Sequence, residues 1–399
     1  MKRQTIKLNS PERFTAPFEI SKTKLTAAIE EAAKRLEIMG KEHGLDFPGC
    51  WSVNYKYEYK HNRNWVGGMY AGCYWLAYEL TGESFFKNHA EKLTATFRER
   101  LDQRIGVDDH DVGFAFSPSC VAGYRITGDE YAKKIALDAA EYFYGTGYSQ
   151  RGKYIIRDWK GVKEGKLHEA RTMMDSLMNA PLLFWASEVT GDPKYAKAAH
   201  DHVKTTEELL IRGDSSSFHH YQFDINTDEP LYGLTLQGHS DDSCWSRGHS
   251  WGVYGFPIAY SYDKSDFIKE VHHDVTYFML NHLPTDLVPA WDYDFTADNA
   301  IKDASAGAIA VCGMHEMAKM LPDTDADKAI FNGAAARMLD SAIDTCTGER
   351  GIDYDGLLFH VTAALPQKLG IDQTAVYGDY FYLEALARYA NGDKFIRYW

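Results

Sequence analysis

The six cysteines, Cys50, Cys73, Cys120, Cys244, Cys312 and Cys346, include no C-x-x-C pair. That absence excludes a zinc ribbon or a dithiol redox centre, and thiols scattered through apolar stretches fit a reduced state better than a disulfide framework. Basic runs are missing too: 43 Lys and Arg stand against 57 Asp and Glu, a net charge of -14, which leaves no electrostatic footprint for nucleic acid. No segment reaches the roughly 18 apolar residues of a membrane span. The start, Met1-Lys-Arg-Gln-Thr-Ile-Lys-Leu-Asn-Ser-Pro11, lacks the apolar centre of a signal peptide. A cytoplasmic protein without membrane or nucleic-acid partners is expected.

Several catalytic signatures are also absent. His110, His219, His220, His239, His249, His272 and His273 show neither H-E-x-x-H nor any regular two-His spacing, and no G-x-S-x-G, P-loop or dinucleotide fingerprint occurs. Neither metal nor cofactor is expected. Carboxylate acid/base chemistry is the hydrolytic route that remains.

What the chain does have is aromatic side chains, 14% of its 399 residues with 26 Tyr and 9 Trp. Rings on a concave surface form the usual platform for the apolar faces of sugars, although many of these belong to the core. It also has a repeat. Thr81-Gly-Glu-Ser-Phe85 returns as Thr127-Gly-Asp-Glu-Tyr131 and Thr190-Gly-Asp-Pro-Lys-Tyr195, more weakly at Asp263 to Phe267 and Asp323 to Asp327, and last as Asn391-Gly-Asp-Lys-Phe395. Each copy follows an apolar helical pattern and combines a Gly C-cap with an acidic N-cap, the chemistry of a tight corner between two helices. Six corners imply about twelve helices, with short β patches at Lys153–Arg157 and Ser217–Phe223. Six hairpins either stack as an open solenoid or close into an all-α double ring, the (α/α)6 barrel. The long polar loops between hairpins favour closure over one mouth, in a single domain spanning 1–399 with an N-terminal extension of about 20 residues.

Within this frame, Arg171-Thr-Met-Met-Asp-Ser-Leu-Met-Asn179 draws the eye. Met173, Met174, Leu177, Met178, Leu182 and Trp185 recur at the spacing of a buried helical face, and Asp175 sits among them. A carboxylate in such company is neutral, paired or functional, unless it merely caps a helix. His110-Asp111-Val-Gly-Phe114 offers a second carboxylate, again either a cap or a partner acid facing Asp175 across the mouth. Arg247, in Trp245-Ser-Arg-Gly-His-Ser-Trp251, either forks onto a substrate carboxylate or pairs with Asp241 or Asp242.

These motifs, with Asn64-Trp65-Val-Gly-Gly, Leu182-Leu-Phe-Trp185, Lys302-Asp-Ala-Ser-Ala306 and Gly378-Asp-Tyr-Phe381, resemble the unsaturated glucuronyl hydrolases of glycoside hydrolase family 88, in order, from about Trp51 to Tyr389. The resemblance implies an (α/α)6 barrel acting on oligosaccharides that lyases leave with a C4=C5 double bond in the terminal uronic acid, and hydration of that bond. It implies Asp175 as general acid/base and Asp111 as partner carboxylate, with Trp65, His219 (or its neighbour His220), Gln237, Arg247 and Trp251 on the substrate. An apolar surround and a nearby Asp111 are expected to keep a proton on Asp175. Where some members read sulfate through Ser-x-x-Ser-x-Lys, this chain has Ala363-Ala-Leu-Pro-Gln-Lys368, which retains Lys368 without either Ser. A sister group acting on unsaturated rhamnogalacturonan and a non-catalytic sugar-binding toroid are the alternatives, and the protein is expected to be a monomer or dimer.

Overall fold

The computed structural model describes residues 3–348 and 351–399. Among these, twelve long helical runs alternate between two kinds. Gly67–Thr81, Pro181–Thr190, Ser246–Tyr262, Ala304–Met320 and Val376–Asn391 are buried nearly all round, as is the run Val112–Phe116, Ser117–Val121, Ala122–Thr127, whose middle piece is a π turn. Helices apolar on every side belong inside a large protein. Lys22–His43, Ser84–Asp102, Glu130–Gly147, Pro193–Leu210, Asp266–Asn281 and Ala326–Cys346 bury one stripe only and carry Lys, Glu and Asp outward. The apolar helices touch one another in sequence, and the last of them, Val376–Asn391, packs on the first, Gly67–Thr81. The inner ring is therefore closed, the outer helices surround it, and the fold is an (α/α)6 barrel.

The repeated corners work as their chemistry requires. Gly82, Gly128 and Gly191 end their helices in the left-handed conformation at φ 72°, 74° and 74°. Asp129 and Asp192 then accept the amides of Tyr131 and Lys194 to cap the next helix. The sixth copy behaves otherwise. After Asn391 the chain makes only a short turn at Gly392–Lys394, and its tail runs back to bury Trp399 against Phe381 and Tyr380. The sixth pair is completed by the first long helix, Lys22–His43, lying against both Gly67–Thr81 and Val376–Asn391. Closing a ring requires such a junction between chain ends, so a corner motif there has no partner downstream.

The stretch around Asp175 also departs from expectation. Arg171–Met173 is a β-strand, Met174–Met178 a 3-10 turn, and the α-helix starts at Pro181. The strand is captured by His220–Phe223, with Arg171 opposite Gln222 and Met173 opposite His220, and Pro230–Leu234 extends the sheet. Pro181 fits the first helical turn, where no amide donor is needed. The apolar residues are buried as their pattern implies, but three local conformations bury them.

Candidate active site

The first turn of each inner helix, or the residues just before it, supplies one part of a single mouth. Trp65 precedes Gly67, Asp111 precedes Val112, Asp175 precedes Pro181, Trp245 and Arg247 open Ser246–Tyr262, Asp303 precedes Ala304, and Tyr377 lies in the first turn of Val376–Asn391. Converging helix N-termini bring partial positive charge and free amides to one place, which suits an anionic ligand on a protein of net negative charge.

Two glycines let the acid-bearing segments approach. A Cβ on Gly113 would lie 2.4 Å from Asn179 backbone atoms, and one on Gly68 would lie 2.2 Å from the carbonyl oxygens of Phe114 and Ala115. The segments Trp65–Gly68, His110–Phe114 and Met174–Asn179 are therefore in backbone contact. Asn179 locks the last two, its Oδ1 accepting the Phe114 amide at 2.7 Å and its Nδ2 donating to the Asp175 carbonyl at 3.1 Å.

Asp111 stands at a helix N-cap position, yet its side chain makes no capping bond, and Asp175 caps nothing either. Each carboxylate instead lies 3.4 Å from Nε2 of His110, with about 15% of either side chain exposed. The other ring nitrogen of His110 faces the carbonyl of Arg157 at 3.2 Å. Burial alone would discharge His110, but Asp111 and Asp175 outweigh it and lift the imidazole to about 9. Burial lifts Asp111 to about 7, with the charges of Asp109 and Asp175 adding to it against the pull of His110. For Asp175 the imidazolium overrides burial and holds the carboxyl near 2. His110 between the two acids thus pulls the Asp175 carboxyl down, opposing the burial and the nearby Asp111 that were expected to keep a proton on it.

The predicted binding residues separate into walls and floor. Trp65 stacks on Tyr377 at 5.4 Å and is half-buried. His219 lies 4.5 Å from the Trp245 ring, and neither of its nitrogens has a protein partner. Its carbonyl accepts the amide of Met174, which places it beside Asp175. His220 belongs to the strand behind. Burial depresses both rings, to about 4 for His219 and about 2 for His220, so each is neutral. Trp251 is 2% exposed, clasped between Phe114 and Phe381, and forms part of the floor rather than an open platform.

Arg247 is paired, but with neither Asp241 nor Asp242. Its Nη1 meets Asp303 and the Thr362 carbonyl, its Nη2 meets the Ala363 carbonyl, and the rings of Trp245 and Tyr377 cover its faces at 4.4 and 4.7 Å. Asp303, 56 residues away in sequence, reaches it because adjacent inner helices start side by side. Gln237 donates to the same Ala363 carbonyl at 3.0 Å, and Lys368 is exposed on the Ala364–Leu369 hairpin beyond, at φ 56°. Both nitrogens of His219, Nε2 of His110 and Oδ1 of Asp175 are buried without a protein hydrogen-bond partner. In a folded core nearly all such atoms are bonded, so at this mouth they are free to meet a polar ligand. A groove of about 820 Å³ on the outer ring, between Arg3, Glu207, Lys269 and Asp274, shares no residue with the mouth.

Sequence reasoning passed over His110, weighed only as a metal ligand, and Asn179, Trp245, Asp303 and Tyr377. The adjacency of His110 to Asp111 was the available signal for the first; nothing local announced the others.

The sequence pattern of Glycosyl Hydrolase Family 88 matches residues 49–290. The chain belongs to this family and is a glycoside hydrolase. It is 39% identical to an unsaturated chondroitin disaccharide hydrolase of Streptococcus pneumoniae, over 98% of both chains. The crystal structure of an unsaturated glucuronyl hydrolase from Streptococcus agalactiae superposes with a TM-score of 0.94 at 37% identity, covering 100% of this chain and 99% of that one. A variant of that enzyme complexed with dGlcA-GalNAc6S superposes with a TM-score of 0.87 at 36% identity and the same coverage.

Proposed function

We propose that this family 88 hydrolase removes the 4,5-unsaturated glucuronic acid from the non-reducing end of lyase-generated glycosaminoglycan oligosaccharides by hydrating the C4=C5 bond. The observation that carries it is the pair of carboxylates, Asp111 and Asp175, facing one imidazole at a mouth ringed by helix N-termini. The uronate carboxylate is drawn to those N-termini, and its ring stacks on Trp65. Asp175 gives a proton to C4, the π electrons forming the new C–H bond and leaving positive charge on C5 and the ring oxygen. Water then adds to C5 and returns its proton to Asp175. The resulting hemiketal opens and releases a keto-uronate, while the aglycone keeps its own oxygen. Asp111 holds sugar hydroxyls and Gln237 and His219 fix the ring, with Arg247 ordering the Thr362–Ala363 edge beside it. Lys368 faces the next sugar, where sulfate is carried.

Whole-chain similarity to a chondroitin disaccharide hydrolase and to an enzyme that binds dGlcA-GalNAc6S favours this substrate over a rhamnose-linked one. We further propose one catalytic domain with a short N-terminal extension, working in the cytoplasm as a monomer or dimer. Free thiols at Cys50, Cys73, Cys120, Cys244 and Cys312 support a reducing compartment, and among the described residues no helix is long and apolar enough to cross a membrane.

The test is turnover of unsaturated chondroitin, hyaluronan and heparin disaccharides beside a rhamnose-linked control, followed as loss of double-bond absorbance in the presence of EDTA. In D2O the first turnovers should place deuterium on C4, seen by NMR. Consumption of the rhamnose-linked substrate alone, or a need for divalent metal, would refute the proposal.

A further inference from the structure

We infer that His110 is a positioning residue that stores the catalytic proton, holding it between Asp111 and Asp175 and passing it to Asp175 when an anionic sugar binds. The inference rests on the hydration reading above and deepens it.

The His110 Nδ1 faces a carbonyl, that of Arg157, which can only accept, so Nδ1 carries a hydrogen. That leaves Nε2 as the atom turned toward Asp111 and Asp175, 3.4 Å from an oxygen of each. A neutral ring with its hydrogen on Nδ1 would aim a lone pair at two carboxylates. Three electron-rich atoms cannot meet in a buried space without a proton, so at least one is shared by the trio. Neither Nε2 nor the facing Asp175 oxygen has any other protein hydrogen bond, and contacts of 3.4 Å are looser than a charged hydrogen bond. Such a contact fixes where the proton waits without trapping it.

Other charged or titratable groups around the trio include Asp109 on its own segment, Arg157, Arg171 on the strand before Asp175, and the imidazoles of His202 and His219. Burial keeps both of those imidazoles neutral, which leaves His110 as the histidine that carries charge at the mouth. A bound uronate brings another negative charge close to Asp175 and raises its proton affinity. The Nε2–H bond then breaks toward the Asp175 oxygen, giving a neutral imidazole and a neutral carboxylic acid. Asp175 spends that proton on C4, recovers one from water, and returns it to Nε2, so each turnover is balanced.

The decisive variant is His110→Gln, whose side-chain amide can still donate toward the carboxylates but cannot store a proton. At pH 7 its kcat should fall by about 100-fold or more, within the range for loss of acid/base assistance, while KM stays within about threefold. The alkaline limb of kcat/KM should move down by at least one pH unit. An unchanged profile, or equal loss at every pH, would mean that His110 only packs, and the inference fails. Should the variant not fold, ¹⁵N NMR of the wild-type histidines decides: a His110 ring charged above pH 8 and discharged at lower pH in Asp175→Asn supports storage, and a ring neutral by pH 6.5 overturns it. Wild-type turnover of the unsaturated disaccharide is the separate control. Its absence would sink the hydration reading, whereas the NMR titration judges the proton store without any turnover.

Discussion

Asn179 grips Asp175 through the backbone: its side-chain amide donates to the Asp175 carbonyl at 3.1 Å while its oxygen accepts the Phe114 amide. One side chain therefore sets the distance between the two acid-bearing segments. Asn179→Ala should leave a buried amide unpaired, costing about 1–3 kcal/mol, and should lower kcat more than it raises KM. Denaturant unfolding and steady-state kinetics measure both, and a fully active, fully stable variant would contradict the assigned role.

Asp175→Asn is the sharpest test of the chemistry. An amide keeps the shape but can neither deliver a proton to C4 nor take one from water. Turnover should drop by roughly 10²–10⁴, and calorimetry should still detect disaccharide binding. A non-catalytic sugar-binding toroid would show no turnover in the wild type to begin with.

Asp111 carries a pH-dependent cost. Its folded-state value, raised by burial to about 7, lies above that of an unfolded aspartate, so folding takes up a proton between those values and stability falls as pH climbs through about 4 to 7. Asp111→Asn mimics the neutral form. At pH 8 it should melt higher than the wild type, the gap closing below pH 4, while activity is lost. Thermal melts across pH, paired with assays, read out this exchange of stability for function.

Breaking the Arg247 pair should be costly. Both partners are buried, and removing Asp303 strands a guanidinium whose other bonds go to carbonyls. Asp303→Ala should destabilise by about 3–5 kcal/mol, and unfolding midpoints will show whether it does.

Lys368 is exposed, so its contribution is screened. Lys368→Ala should weaken kcat/KM on sulfated disaccharides by about two- to fivefold, the scale of a surface ion pair, and leave unsulfated ones unchanged. Added salt should shrink the difference.

Some of this architecture is written in local pattern. Thr-Gly-Asp corners read as hairpins because capping is chemistry among near neighbours. The misreadings came where distant chain took over. The apolar pattern of helical spacing begins at Met173, yet Arg171–Met173 pairs as a strand with His220–Phe223, some fifty residues on, and the corner at Asn391 has no helix to turn into because the ring closes on Lys22–His43.

By itself the sequence determined the all-helical class, the hairpin corners, and Asp175 and Asp111 as carboxylates in apolar company. Only the tertiary structure decided which imidazole lies between the two acids, which aspartate neutralises Arg247, and how Asn179 joins the acids. The reason is physical: hydrophobic period and capping act over a few residues, whereas electrostatics depends on distance in space. The contact of His110 with Asp175, or of Arg247 with Asp303, comes into being only when the ring of helices shuts.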